Sequence, residues 1–157
     1  ARVAQAALPL LGGSGTQAFK TDAPGPAQTR MGDLIVLAGL EQARPGWRPE
    51  LEMVAEAKIE PVRSGGLLDE PAPVEVLLAG TSNGRRSQFA ERLGMGLGRE
   101  VWNMSLDGGQ FSGALLLALK QRKQWPASLK LVIWEFSENA LSLPLTADEQ
   151  ALLARIP

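Results

Sequence analysis

The second half of the chain alternates apolar runs with amphipathic stretches in a regular order. "VEVLLAG" (74–80) predicts a strand. "SQFAERLGMGLG" (87–98) predicts a helix, with Phe89, Leu93 and Leu97 every four residues and glycines closing it. "EVWNMS" (100–105) predicts a second strand, and "FSGALLLALKQRKQW" (111–125) a helix stopped by Pro126. "LKLVIWEF" (129–136) predicts a third strand. "TADEQALLARI" (146–156) predicts a helix opened by a Thr146/Glu149 capping box. Strand and helix in strict alternation imply an α/β fold with a mainly parallel sheet flanked by helices. Strand patterns without clean alternation suit burial on both faces.

The first half is less regular. Ala1 to Leu11 reads as a helix closed by "GGSG". "TDAPGPAQ" (21–28) reads as loop. In "TRMGDLIVLAGL", Met31, Leu34, Ile35 and Ala38 fall at spacings of three and four, which predicts a short helix with one apolar face. "RPGWRPE" (44–50) is loop, Leu51 to Arg63 holds a strand or two with a turn, and "SGGLLDEPAP" (64–73) is loop. The expectation is one domain over 1–157, with 74–157 as its best-defined βαβαβα core.

Composition narrows the chemistry. Sixteen basic and seventeen acidic residues give a net charge of −1, so no global basic field favours nucleic acid. No apolar run approaches the roughly 18 residues that a membrane span needs. The absence of Cys excludes disulfides and thiolate chemistry, and with no His a zinc or iron enzyme is not expected. No metal or other cofactor is expected. The sequence opens without Met on "ARVAQAALPLL", which reads as a fragment or a processed product.

In parallel α/β sheets function gathers at the C-terminal ends of the strands. Those ends are Gly80-Thr81-Ser82, Asn103 to Gly108, and Glu135 to Asn139, all rich in small and polar residues. A serine on a strand-to-helix turn lies near unpaired backbone N–H groups that can stabilise an oxyanion. Ser82 is the candidate nucleophile, and Asn83 N–H the candidate oxyanion donor. The alternative is that Thr81 or Ser82 only caps the helix.

Three stretches, "LLAGTSN", "NMSLDGGQ" and "LVIWEFSEN", resemble the SGNH-like domain of the alginate O-acetylation proteins AlgJ and AlgX. The resemblance covers roughly 32–143 and implies a three-layer SGNH-hydrolase-like fold. "GTS" takes the place of the superfamily's G-D-S box. Asn103 and the Gly108 five residues later match its second box, which would add Gly108 N–H and the Asn103 side chain to the oxyanion hole. Asn139 stands where the family usually has Arg. The family's Asp-x-His motif is missing, and the resemblance implies that it lies upstream of Ala1.

The activity implied is O-acetyl transfer to a bacterial exopolysaccharide, alginate- or cellulose-like, through a serine acetyl-enzyme. It also implies a periplasmic setting and an acetyl donor supplied by a membrane or periplasmic partner. Without a base to take its proton, a serine hydroxyl is a poor nucleophile, so this chain alone is expected to be inactive. Glu135, Glu138 and Asp107 are weak substitutes for His. Two alternatives stay open: a non-catalytic polysaccharide-binding or assembly module, and an esterase that uses water as acceptor.

Arg85 and Arg86 are candidates for holding a substrate carboxylate, or else a solvated pair. Glu135, Glu138 and Asn139 are further candidate substrate contacts. Trp102 and Trp134, on predicted strands, are assigned to the core, whereas Trp47 in a loop is a better glycan-stacking candidate. "KQRKQW" reads as the exposed end of a helix. "GMGLG" lacks the spacing of a nucleotide-binding loop.

Overall fold

A computed structural model of the chain describes residues 1–63 and 72–154. Most of the loop expected at 64–73, and the last residues of the final predicted helix, lie outside the described residues. The chain groups into two compact units: residues 1–20 with 60–157, and residues 21–59.

The first unit is built on a three-stranded parallel sheet. Its strands are β5 (Val76–Ala79), β6 (Val101–Asn103) and β7 (Leu131–Trp134), in the order β6-β5-β7. Leu77 lies level with Trp102 on one side and Val132 on the other. β5 is central, and all four of its residues are fully buried. Val76 packs with Ala4, Ala7 and Leu11 of the N-terminal segment and with Leu93 and Leu97. Leu77 and Ala79 pack on the other face with Ala114 and Ala118. That alternation makes the sandwich three-layered: α1 (Arg2–Ala7) and α4 (Phe89–Leu97) on one face, α5 (Gly113–Lys120) on the other. The arrangement is the expected α/β one, a parallel sheet flanked by helices.

Local chemistry accounts for the element ends. α1 runs through a 3-10 turn (Pro9–Leu11) into Gly12, whose φ of 73° is left-handed, as a glycine stop requires. The guanidinium of Arg99 reaches the carbonyls of Gly13, Leu97 and Leu11, and its Nε donates to Glu75. Lys130 also pairs with Glu75. The hydrogen bond from Lys130, then that from Arg99, holds the Glu75 carboxyl below its ordinary pKa. α6 (Ala147–Leu153) opens with the expected capping box: Glu149 N–H donates to Thr146 Oγ1, and Thr146 N–H donates to the Glu149 carboxylate at 2.7 Å.

The helix expected over 87–98 is present as α4, and a short helix that the pattern did not predict, α3 (Ser82–Arg86), precedes it. Thr81 caps α3, so winding begins directly after the strand. Gln88, at φ 52°, then breaks the run and starts α4 afresh.

Within the second unit, β2 (Gln28–Arg30) pairs antiparallel with β3 (Glu52–Val54), and α2 (Asp33–Leu37) lies between them in sequence. The expected short helix is there, but its apolar residues are not buried: Leu34 is 80% and Leu37 82% exposed. The chain leaves the first unit along β1 (Phe19–Thr21) and returns along β4 (Ile59–Pro61), two short strands that pair with each other.

Candidate active site

Ser82 is the first residue of α3, directly after the buried end of β5. The capping alternative resolves onto its neighbour: Thr81 is the N-cap and its Oγ1 accepts from Asn83 N–H at 3.3 Å. Ser82 is half-buried, and its hydroxyl has no hydrogen-bond partner among the described residues. Thr81 therefore carries the cap and leaves the Ser82 hydroxyl uncommitted to it.

Both flanking strands reach this turn. From the β7 side, the Glu135 carboxylate accepts Thr81 N–H at 2.7 Å and Thr81 Oγ1–H at 3.0 Å. From the β6 side, Asn103 Nδ2 donates to Gly84 O at 3.1 Å, while its Oδ1 accepts Ser105 N–H at 3.0 Å. The strand-end backbones are also tied together, Leu106 N–H to Gly80 O and Glu135 N–H to Ala79 O.

Space is tight at two glycines. A Cβ at Gly80 would lie 2.7 Å from Ser105 Oγ and 2.8 Å from Glu135 Oε2, and one at Gly84 would lie 2.6 Å and 3.2 Å from the same atoms. Neither glycine has a positive φ, so room and not backbone freedom requires them. Ser105 Oγ is itself buried without a partner among the described residues.

Gly108 lies on the loop after β6 with φ 71°. Its neighbour Asp107 pairs with Arg86 at 3.0 Å, which ties that loop to α3. Arg85 is exposed and its side chain has no recorded partner among the described residues. Glu138 and Asn139 begin a 3-10 turn (Glu138–Ser142) after β7; both are exposed, and the Asn139 side chain accepts from Ser137 Oγ. Of the three carboxylates weighed as substitutes for His, Glu135 is engaged by Thr81 and Asp107 by Arg86.

A cleft of about 520 Å³ opens beside Gly108, lined by Asp107, Gln110, Ser112, Lys120, Asp148 and Glu149 among others; Ser82 does not line it. Ser112 Oγ donates to the buried Glu149. That bond first, and the Thr146 N–H second, keep the Glu149 carboxyl below its ordinary pKa. Lys120 lowers that of Asp148 in the same way. Among the described residues no cluster of three or more His, Cys, Asp or Glu side chains forms a metal site.

Sequence reasoning placed Trp134 in the core, and that is corrected. Trp134 is 36% exposed and stacks in a three-ring group with Phe111 and Phe136, centroids 4.6 to 4.9 Å apart. Its indole N–H donates to Phe111 O. The spacing in "WEF" carried the signal, since residues two apart share one face of an extended chain. Trp102 is half-buried against the α5 face, as expected of a core residue, and Trp47 is 80% exposed.

The family described as the SGNH hydrolase-like domain of acetyltransferase AlgX matches residues 1–138. The chain belongs to that family. Among solved structures it is similar to the O-acetyltransferase domain of Pseudomonas putida AlgJ, with 24% identity over 93% of this chain and 49% of that one, and a TM-score of 0.69. It is also similar to Pseudomonas aeruginosa AlgX, with 24% identity over 78% of this chain and 29% of that one, and a TM-score of 0.59. No curated protein matches the chain. At this identity the two AlgX-family likenesses speak for the fold, and the chain spans half or less of either solved structure. Among the described residues no helix is long and apolar enough to cross a membrane.

Proposed function

We propose that this chain is the nucleophile-bearing part of a serine O-acetyltransferase acting on a bacterial exopolysaccharide, alginate- or cellulose-like. The observation that carries the proposal is Ser82, uncommitted to the cap, on a turn held by both flanking strands, in a chain of the AlgX family.

Ser82 Oγ attacks the carbonyl carbon of an acetyl ester as its proton passes to a base. The Asn83 and Gly108 N–H groups, with the Asn103 side chain, stabilise the resulting oxyanion. The donor's alkoxide leaves, taking up the proton, and acetyl-Ser82 remains. A sugar hydroxyl then gives its proton to the base and attacks the acetyl-enzyme, which frees Ser82. Arg85, Arg86, Glu138 and Asn139 are the side chains proposed to meet the sugar.

The base is the gap. The chain has no His, Glu135 and Asp107 are already paired, and Glu138 is an exposed carboxylate and so a weak base for serine; the proposal therefore takes its base from outside these 157 residues. The proposed setting is periplasmic, with a membrane or periplasmic partner as acetyl source. The same lack of His favours a second reading, a polysaccharide-binding module that keeps the fold without the chemistry.

The distinguishing experiment supplies an activated acetyl ester and an oligosaccharide to the full-length protein, and follows the acetyl group by mass spectrometry. Acetylated sugar supports transfer. Free acetate in equal amount with and without sugar identifies an esterase. Sugar binding with no turnover identifies the module.

A further inference from the structure

Directly after β7, which ends at Trp134, comes a carboxylate that spends its hydrogen-bonding capacity on the turn carrying Ser82. Glu135 accepts from both polar groups of Thr81, the backbone N–H at 2.7 Å and the hydroxyl at 3.0 and 3.1 Å. The hydroxyl proton is thereby committed to Glu135. Thr81 Oγ1 turns a lone pair toward Asn83 N–H, 3.3 Å away. The same carboxylate fits closely against the turn backbone at Gly80 and Gly84, where any added Cβ would collide with it or with Ser105.

We propose that Glu135 is a positioning residue of the acyl-transfer site. Through Thr81 it fixes the turn carrying Ser82, and it orients the Asn83 N–H that would face the oxyanion. This rests on reading Ser82 as the nucleophile. It replaces the expectation that Glu135 contacts substrate. The hydrogen bonds from Thr81 to Glu135 and from Asn83 to Thr81 lie behind the Ser82 hydroxyl and hold the groups around it in place. At 3.3 Å the Asn83 to Thr81 bond is long, so the N–H can be shared between Thr81 Oγ1 and an incoming oxyanion while Thr81 still sets its direction. Bonds to a carboxylate are stronger than bonds to a neutral acceptor, so an acid at 135 holds Thr81 more firmly than an amide would.

The test uses the full-length protein and an activated acetyl ester, with acetyl-Ser82 formation followed by mass spectrometry. Glu135→Gln keeps the shape and removes the charge. The expected result is a loss in kcat on the order of 10²-fold, the scale for a misplaced reacting group, with KM unchanged. Thr81→Ser keeps both donors and is expected to stay near the parent rate, and Thr81→Val to fall with Glu135→Gln. In ¹⁵N–¹H spectra the Asn83 amide is expected to shift in Glu135→Gln, although Glu135 does not touch it. A merely structural role would lower the melting temperature and leave kcat, relative to KM, unselectively changed.

If the parent labels at Ser82 and Glu135→Gln labels at the same kcat, the positioning role is overturned and the nucleophile stands. The same holds if the Asn83 resonance does not move. If the parent itself does not label at Ser82, the nucleophile reading falls. Glu135 then holds the turn for structure alone, and the proposal is overturned with it.

Discussion

Two four-residue apolar runs in this chain meet opposite fates. "VLLA", Val76 to Ala79, is wholly buried, and "LIVL", Leu34 to Leu37, leaves both of its leucines more than three-quarters exposed. Composition does not separate them. The first is a strand hydrogen-bonded on both sides and covered on both faces by helices. The second lies in a five-residue helix of a unit whose sheet, among the described residues, is one short antiparallel pair, β2 with β3. Apolar residues set the drive toward burial, but only neighbouring layers satisfy it.

The largest effect that sharpens this contrast is in the core. Leu77→Ala is expected to cost about 2–5 kcal/mol, whereas Leu34→Ala is expected to stay within about 0.5 kcal/mol. Urea unfolding of the two variants measures both, and equal losses would break the comparison. Next comes Gly84→Ala, which pushes a methyl group to 2.6 Å from Ser105 Oγ. Overpacking of that kind costs about 1–3 kcal/mol. Adding Ser105→Ala removes the opposing oxygen and is expected to recover much of the loss; a purely additive double variant would show that the crowding lies elsewhere.

A smaller effect belongs to the capping box. Thr146→Ala is expected to lower stability by about 1 kcal/mol, read from thermal melts. The smallest appears only in acid. Glu75 and Glu149 both have folded pKa values below their ordinary ones, so the unfolded chain binds more protons. Their contribution is complete above the ordinary Glu value of about 4.3 and drains away as pH falls through the folded values. Melting temperature is therefore expected to be flat, as far as these two groups go, from pH 6 to 8 and to drop below about pH 4.5. Glu149→Gln is expected to flatten part of that drop.

The sequence made the repeating βα order legible because β5 to α6 each carry their own signal: an apolar run, a four-residue spacing, a capping box. The Thr146/Glu149 box is a local pattern and was readable to the residue. The break at Gln88 was not, since a positive φ at Gln is set by how α3 and α4 are placed and leaves no mark in composition. Ser82 was readable as a strand-end serine. The Glu135–Thr81 bonds join residues 54 apart in the chain and depend on β7 lying next to β5, which no local pattern encodes. The ring group of Phe111, Trp134 and Phe136 was not legible because it brings Phe111, from the loop before α5, onto the end of β7, a contact that no local pattern encodes.

On the proposed reading, the turn after β5 presents Ser82 as a nucleophile whose base comes from outside these 157 residues. The most direct measurement is intact-protein mass after exposure to a serine-directed sulfonyl fluoride. It compares this chain, a longer form extended upstream of Ala1, and the Ser82→Ala variant of each. One adduct, on Ser82, is expected in the longer form, with little or none in this chain or in either Ser82→Ala variant. No adduct on Ser82 in any form, or equal labelling of the longer form and its Ser82→Ala variant, would contradict it.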